Sequence, residues 1–528
     1  MNFAWVIDQT RCIGCHACST ACKSENDVPL GVYRTWVKNV EVGTFPNVRR
    51  HFAVLRCNHC ADPPCVPICP VGAMFQRSDG IVDIDHDRCI GCKACMQACP
   101  YEAIHIDPTD QTAAKCHFCA HRVDRGLLPA CVVVCPVEAL IFGDLDDPGS
   151  RVAHLLGRTP ATVRRPEQNT RPKAFYLGAH AATLDPLAAH HETSYMWADR
   201  TPGTARDHSA DFSVWAGTAT STRPTGTDHS NQRRSGQSRL PTARVAYDVG
   251  HQIPWRGRVS AYLWTKSLAA GTGFIAAVIL LLRAGGADTL TLRVAPLASL
   301  VALGVTGILL ITDLKQPARF WYILAYPQWR SWLTRGTIII TAYGILLTAW
   351  LLMGIAGRTP GPFLLPGILA VAFATAVYTA FLFGQCEGRD LWQSPVVGLA
   401  LTAQMVVAGS AGLLLLGMAL GIGERTMDIL AASLLLGLAG HLLTVFLGEI
   451  TARHGSSNAR AAARALTHGS SAGLFWTAVI PGALLPMPVL AAVGPHGAPA
   501  VVAALAALAG LWAYEHAFVM AGQSVPLS

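Results

Sequence analysis

The stretch RCIGCHACSTACK, Arg11 to Lys23, sets four cysteines at positions 12, 15, 18 and 22. Thiols this dense suit a disulfide framework, a zinc site, a redox dithiol or an iron-sulfur ligand set. The opening MNFAWVIDQT has no basic region leading into an apolar run, no small-residue cleavage site and no twin arginine, so a reducing compartment is expected and persistent disulfides are not. Zinc usually takes two separated cysteine pairs per ion. C-x2-C-x2-C-x3-C instead places three thiolates within seven residues and a fourth apart, the bacterial ferredoxin spacing in which the fourth cysteine serves another cluster.

Such a motif needs partner motifs, and the chain has three. Cys57, Cys60, Cys65 and Cys69 form C-x2-C-x4-C-x3-C-P; Cys89, Cys92, Cys95 and Cys99 form C-x2-C-x2-C-x3-C-P; Cys116, Cys119, Cys131 and Cys135 form C-x2-C-x11-C-x3-C-P. Sixteen of the 17 cysteines therefore fall into four sets before residue 136, and four 4Fe-4S clusters are expected. Zinc or mixed clusters remain the alternative, because spacing identifies ligands better than metals. Three thiolates on a tight loop cap three corners of a cuboidal cluster while the fourth corner faces another segment. Proline after Cys69, Cys99 and Cys135 fixes φ where the chain leaves the loop; after Cys22 stands Lys23.

The rest of the chain must position this module. At 528 residues, 51% hydrophobic and 14% charged, the protein is too apolar to be wholly soluble. Eight long apolar runs lie near 264–282, 294–312, 337–355, 363–385, 396–418, 429–448, 473–493 and 499–520, each near the length a helix needs to cross a bilayer. An even number returns the chain to its starting side. Residues 179–250, rich in Thr, Ser, Ala, Arg, His, Gly and Pro, show no sustained period and read as a mostly irregular linker. The net charge of +8 flanks membrane runs and accompanies no recognition motif, so no nucleic-acid partner is expected.

Loop charge sets the expected orientation. On the side of the cysteine module stand Arg256, Arg258, Lys315, Arg319, Arg330, Arg335, Arg389, Arg453, Arg460 and Arg464; opposite are Arg283, Arg293, Arg358 and Arg425. Ten against four puts the module in the cytoplasm, beneath the inner membrane.

The run CNHCADPPCVPICPVGAMFQRSDGIVDIDHDRCIGCKACMQACPYEAI, Cys57 to Ile104, with RPKAFYLG further on, resembles the four-cluster electron-transfer subunits of complex iron-sulfur molybdoenzymes of the DMSO and polysulfide reductase type. In the second half, DLKQPARFWYILAYPQWRSWLTRG, VYTAFLFGQCEGRDLWQSP and AGQSVPLS resemble the NrfD family of eight-helix anchors. The implied fold class is multidomain: an α+β ferredoxin-like iron-sulfur domain over residues 1–178, the linker 179–250, and an all-α eight-helix transmembrane bundle over 251–528. The two halves are normally separate polypeptides.

The resemblance implies ligand exchange between motifs: Cys12, Cys15, Cys18 with Cys135; Cys116, Cys119, Cys131 with Cys22; Cys57, Cys60, Cys65 with Cys99; and Cys89, Cys92, Cys95 with Cys69. It also implies a quinone acceptor, menaquinone or ubiquinone, contacting Tyr378, with Gln385, Glu387 and Asp313 near it for hydrogen bonding or proton transfer. Heme would need paired axial histidines, and only His441 lies well inside a run, with His516 near the end of the last; His441 is kept as a candidate cofactor contact. Lys266, Glu449 and Glu515 lie in or at the edge of runs where charge is costly. Lys266 and Glu515 are near enough to helix ends to snorkel, Trp255 and Trp264 read as interface anchors, and Cys386 reads as a lone thiol.

These residues point to an electron-transfer and anchor subunit linking a separate molybdenum- or tungsten-pterin catalytic subunit to quinone. A nickel-iron hydrogenase partner and a zinc-binding membrane scaffold are the alternatives. Four cubanes correspond to about 16 iron and about 16 acid-labile sulfide per chain; stoichiometric zinc without labile sulfide would refute them. A reporter active only outside the cell is expected to function in the loop containing Arg358, and a silent reporter there would reverse the orientation.

Overall fold

The computed structural model describes residues 1–191, 243–282, 288–361, 363–452 and 454–528. Arg283, Arg453 and most of the expected linker, 192–242, lie outside the described residues.

Phe3–Asp8 pairs antiparallel with Leu140–Asp144 and parallel with Ala174–Leu177, so one sheet joins the chain before and after the cysteine motifs. Trp5 and Tyr176, both fully buried, face the thiol loops from this sheet. A second sheet is built on the hairpin Thr35–Thr44 and Asn47–Arg56. Short helices Ala17–Glu25 and Ala94–Ala98 carry the later cysteines of the first and third motifs.

The stretch expected to be irregular is ordered at both ends. Ala243–Tyr247 pairs antiparallel with Thr35–Thr44, and His190–His191 pairs with it in turn. The reason is burial: Ala182, Ala189, Ala243 and Val245 close over Val40 and Val42, which a two-stranded hairpin would leave in water. The iron-sulfur domain therefore recruits residues from beyond 178.

All eight apolar runs form helices of spanning length: Gly257–Leu281, Leu290–Asp313, Trp332–Ile355, Leu364–Gln385, Val397–Leu420, Glu424–Ile450, Ala472–Val493 and Gly497–Gly522, called spans 1 to 8. Span 1 begins earlier than its apolar run, and Val259, Ser260 and Tyr262 in its first turns are buried in protein. It is the innermost helix, 72% of its apolar window being buried against 22% for span 3. A side chain at Gly271 would overlap the backbone of Met405 and Gly409, so spans 1 and 5 cross at backbone contact.

Candidate functional site: four thiol sets and a buried polar cluster

The loops place the sulfurs. In CIGCHAC and CIGCKAC, Gly14 and His16, and Gly91 and Lys93, adopt positive φ. This alternation curls the backbone into a nest whose amides turn toward an anion. For His16 and Lys93 the conformation costs on the order of 1 kcal/mol or more, which the nest must offset. Gly91 has a second reason to lack a side chain, since a Cβ there would run into Lys315 of the membrane half and the Gln111 carbonyl.

The sixteen thiols fall into four groups, each mixing two motifs. Cys12, Cys15, Cys18 and Cys135 rim one cavity; Cys22, Cys116, Cys119 and Cys131 rim a second; Cys69, Cys89, Cys92 and Cys95 rim a third. Cys57, Cys60, Cys65 and Cys99 lie within charge–charge range of one another as the fourth. Among the described residues no three metal-binding side chains converge tightly enough for a single ion. Thiols spread around a cavity suit a polynuclear cluster better. Backbone amides also point at sulfur: Ala139 N donates to Cys135 Sγ at 3.2 Å and Ala113 N to Cys89 Sγ at 3.4 Å.

Electrostatics demand a counter-charge. Burial pushes the thiols of Cys18 and Cys99 up to about 11 and those of Cys22 and Cys60 to about 12, so thiolates persist at neutral pH only when metal displaces the protons. Fully buried Arg56 donates from Nη1 to Cys131 Sγ at 3.2 Å, lies over the Trp5 ring at 4.2 Å, and faces Cys18 and Cys116 as well. It stands between the first two groups. Lys115 donates to the Val82 and Cys116 carbonyls, and Arg164, 1% exposed, lies over Tyr101.

The third group adjoins the membrane half. Lys93 pairs with Asp313 at 2.8 Å. Lys315 N and Gln316 N donate to the Gly91 and Ile90 carbonyls, each at 3.2 Å, and Trp255 Nε1 donates to the Cys92 carbonyl at 3.3 Å. Cys386, fully buried, lies in charge range of Cys92. Further into the bundle are Tyr262, Lys266 and Tyr378. Lys266 Nζ sits 5.0 Å from the Tyr378 ring centroid and donates to Ala376 O at 2.8 Å and Thr379 Oγ1 at 2.6 Å. Tyr262 lies within electrostatic range of Tyr378, Asp313 and Cys386. Any side chain at Gly336 would collide with the Tyr378 ring, which packs closely against span 3 there.

Residues 248–526, more than half of the protein, match the family model described as polysulphide reductase, NrfD. The chain belongs to the NrfD family. Residues 48–145 match a 4Fe-4S dicluster domain. The N-terminal region is 48% identical over 190 residues to a tetrathionate reductase subunit of Salmonella typhimurium, covering 35% of this chain and 76% of that one. It is 37% identical over 238 residues to a putative dimethyl sulfoxide reductase iron-sulfur subunit of Halobacterium salinarum (39% and 91%). It is 36% identical over 227 residues to the arsenate respiratory reductase iron-sulfur subunit of a Shewanella species (34% and 96%). The protein is thus an iron-sulfur electron-transfer subunit fused to an NrfD-type multi-pass membrane anchor.

Within the NrfD-type half, the expected polar residues separate. Tyr378 is buried, and Asp313 lies at the membrane end of the Lys93 pair. Glu387, half-buried just past span 4, has its carboxyl raised by burial. Gln385 serves the backbone instead: its Oε1 accepts from Trp332 N at 2.9 Å and its Nε2 donates to Arg330 O at 2.7 Å, fixing the start of span 3. His441 packs edge-on against Tyr514 at 4.8 Å, whereas His516 stacks on Trp512 and meets Ser260; the two histidines serve separate neighbours.

Three readings are corrected. Lys266 and Glu515 do not snorkel, being 0% and 3% exposed, because span 1 is central and offers Lys266 no lipid face. Trp255 is no interface anchor: it is 4% exposed, stacks on Trp392 at 5.6 Å and bonds the Cys92 loop. Trp264 is half-buried, its indole donating to Leu508 O at 2.9 Å. Tyr262, Arg56 and Arg164 escaped sequence reasoning. The one available signal was a charge inside an apolar strand, as in FAVLRC for Arg56. Arg56→Met, which keeps bulk and removes charge, is expected to lower the potential of an adjacent cluster by roughly 60 mV, tenfold in a one-electron equilibrium. Redox-titrated electron spin resonance checks it, and an unchanged potential would remove Arg56 from that role.

Proposed function

We propose that the protein relays electrons through four 4Fe-4S clusters between a separate molybdenum- or tungsten-pterin catalytic subunit and a membrane quinone, with its iron-sulfur domain in the cytoplasm. The carrying observation is the seam: the Cys89–Cys95 loop rests on the end of span 2 and on the residues flanking spans 1, 2 and 4, with Tyr262, Lys266 and Tyr378 buried just beyond it. When bound, the clusters supply one-electron carriers. The chain's own residues hold them in exchanged ligand sets, exclude water, and bring the last set close to a buried cluster of hydrogen-bonding side chains, Tyr262, Lys266 and Tyr378.

The catalytic partner follows from the relatives, which are subunits of reductases for tetrathionate, dimethyl sulfoxide and arsenate. Cytoplasmic placement is supported by the loop cations. Several of these also serve the seam: Arg389 Nε donates to Gln97 Oε1 at 2.7 Å and Arg319 Nη1 to the Cys89 carbonyl at 3.0 Å.

A tyrosine hydroxyl donates to a quinone oxygen, holding the head group while electrons arrive singly. Tyr378→Phe keeps the ring against Gly336 and removes the donor. Quinone-linked turnover is expected to fall roughly five- to tenfold, the worth of a hydrogen bond of about 1 kcal/mol, while cluster content stays constant. Full turnover with unchanged quinone affinity would take Tyr378 out of the site.

A further inference from the structure

Between spans 1, 4, 5, 6 and 8 lies a cavity that reaches from the Ser394–Val396 turn on the iron-sulfur side into the bundle. Its polar lining is Ser394, Gln404, Thr444, Glu449, Tyr514 and Glu515. Glu449 and Glu515 enter it from spans 6 and 8 and Gln404 from span 5, and each keeps a buried oxygen without a partner among the described residues: Glu449 Oε2, Glu515 Oε2 and Gln404 Oε1. Glu449 is 9% exposed, Glu515 and Gln404 3% each. Two carboxyl groups that each keep a free oxygen in one buried chamber are suited to hold protons, since an unpaired buried charge costs several kcal/mol.

The other groups around the cavity define a direction. Glu449 sits in the closing turn of span 6, Phe446–Ile450, next to the iron-sulfur-side loop. Tyr514 lies in charge range of both Glu449 and Glu515, with His441 edge-on against it. On span 1, Ser267 Oγ donates to Glu515 Oε1 at 3.3 Å, and Tyr262 and Lys266 are in charge range of Glu515. Lys266 in turn lies over the Tyr378 ring. Ionisable groups thus continue from the water-side turn to the tyrosine.

We propose that this cavity is a proton route, in which Glu449 exchanges protons with the iron-sulfur-side water and Glu515 and Lys266 pass them to and from the site beside Tyr378. It rests on the quinone reading. Reducing one quinone takes two electrons, which come through the clusters, and two protons, which form the two O–H bonds of the quinol; the reverse reaction releases both. The clusters carry electrons alone, so protons need their own path through the apolar bundle.

The test uses the full chain in liposomes, with reduced methyl viologen as electron donor and decylubiquinone or menadione as acceptor. Cluster reduction by the dye is followed separately by absorbance. Glu449→Gln and Glu515→Gln are expected to slow quinone reduction by roughly 100-fold or more, most severely at high pH, while cluster reduction and quinone KM hold. Glu515→Asp should recover part of the rate. In the wild type, the redox-difference infrared spectrum should contain a carboxylic acid band that Glu515→Gln removes. Wild-type rates and pH profile in the Glu449→Gln, Glu515→Gln double variant, or a band indifferent to Glu515, would overturn the route. If the glutamate variants keep the rate and Tyr378→Phe loses it, the quinone reading stands and the route alone falls. If the wild type binds neither quinone, both fall.

Discussion

The cysteine loops cannot satisfy their own backbone. Wrapping a cluster turns amides inward and leaves carbonyls facing out, where neither helix nor sheet pairs them, and a buried unpaired carbonyl costs on the order of 1–3 kcal/mol. The membrane half supplies the missing donors. Ser331 Oγ reaches the Ile68 carbonyl at 2.7 Å, Thr334 Oγ1 the Pro70 carbonyl at 2.9 Å, and Gly388 N the Gln97 carbonyl at 3.2 Å, beside the contacts at Ile90, Gly91 and Cys92. The domains therefore meet as one hydrogen-bonded body rather than as two surfaces in contact.

This seam governs both neighbours. It holds the third thiol set against the end of span 2 and the residues flanking spans 1, 2 and 4, and it explains buried polar residues at the bundle's end. Gln97 and Gln523 share a hydrogen bond at 2.6 Å, Glu102 faces Arg389 at 3.6 Å, and Arg165 faces Asp390 at 3.4 Å. Each pairing joins residues hundreds of positions apart. A fusion of the two halves in one chain suits such a seam, because a partner already tethered loses less freedom on docking.

Charge is managed differently on the two sides of the seam. In the iron-sulfur domain, buried cations such as Arg56 stand among thiol sets and offset their negative charge. In the bundle, Lys266 finds a backbone carbonyl and a hydroxyl, while Glu449 and Glu515 retain free oxygens. Lipid supplies no hydrogen bonds, so every such group must face protein or a cavity, and the inner position of span 1 makes that possible.

Sequence alone determined the cysteine sets and the eight spans, because both follow from local pattern. Ligand spacing is written within a dozen residues, and hydropathy over twenty. The family resemblance added the exchange of fourth cysteines and the expectation that Tyr378 contacts quinone. Only tertiary structure decided which helix is innermost, since a span apolar on every side carries no mark of the face it buries; hence the local pattern lets Lys266 and Glu515 snorkel, whereas in the bundle they point inward. It decided that Gln385 braces a turn while Tyr262 joins Tyr378, a choice set by helix rotation, and that Ala243–Tyr247 completes a sheet begun two hundred residues earlier. Such pairings depend on donors, acceptors and apolar faces brought together from distant segments, and no local period encodes them.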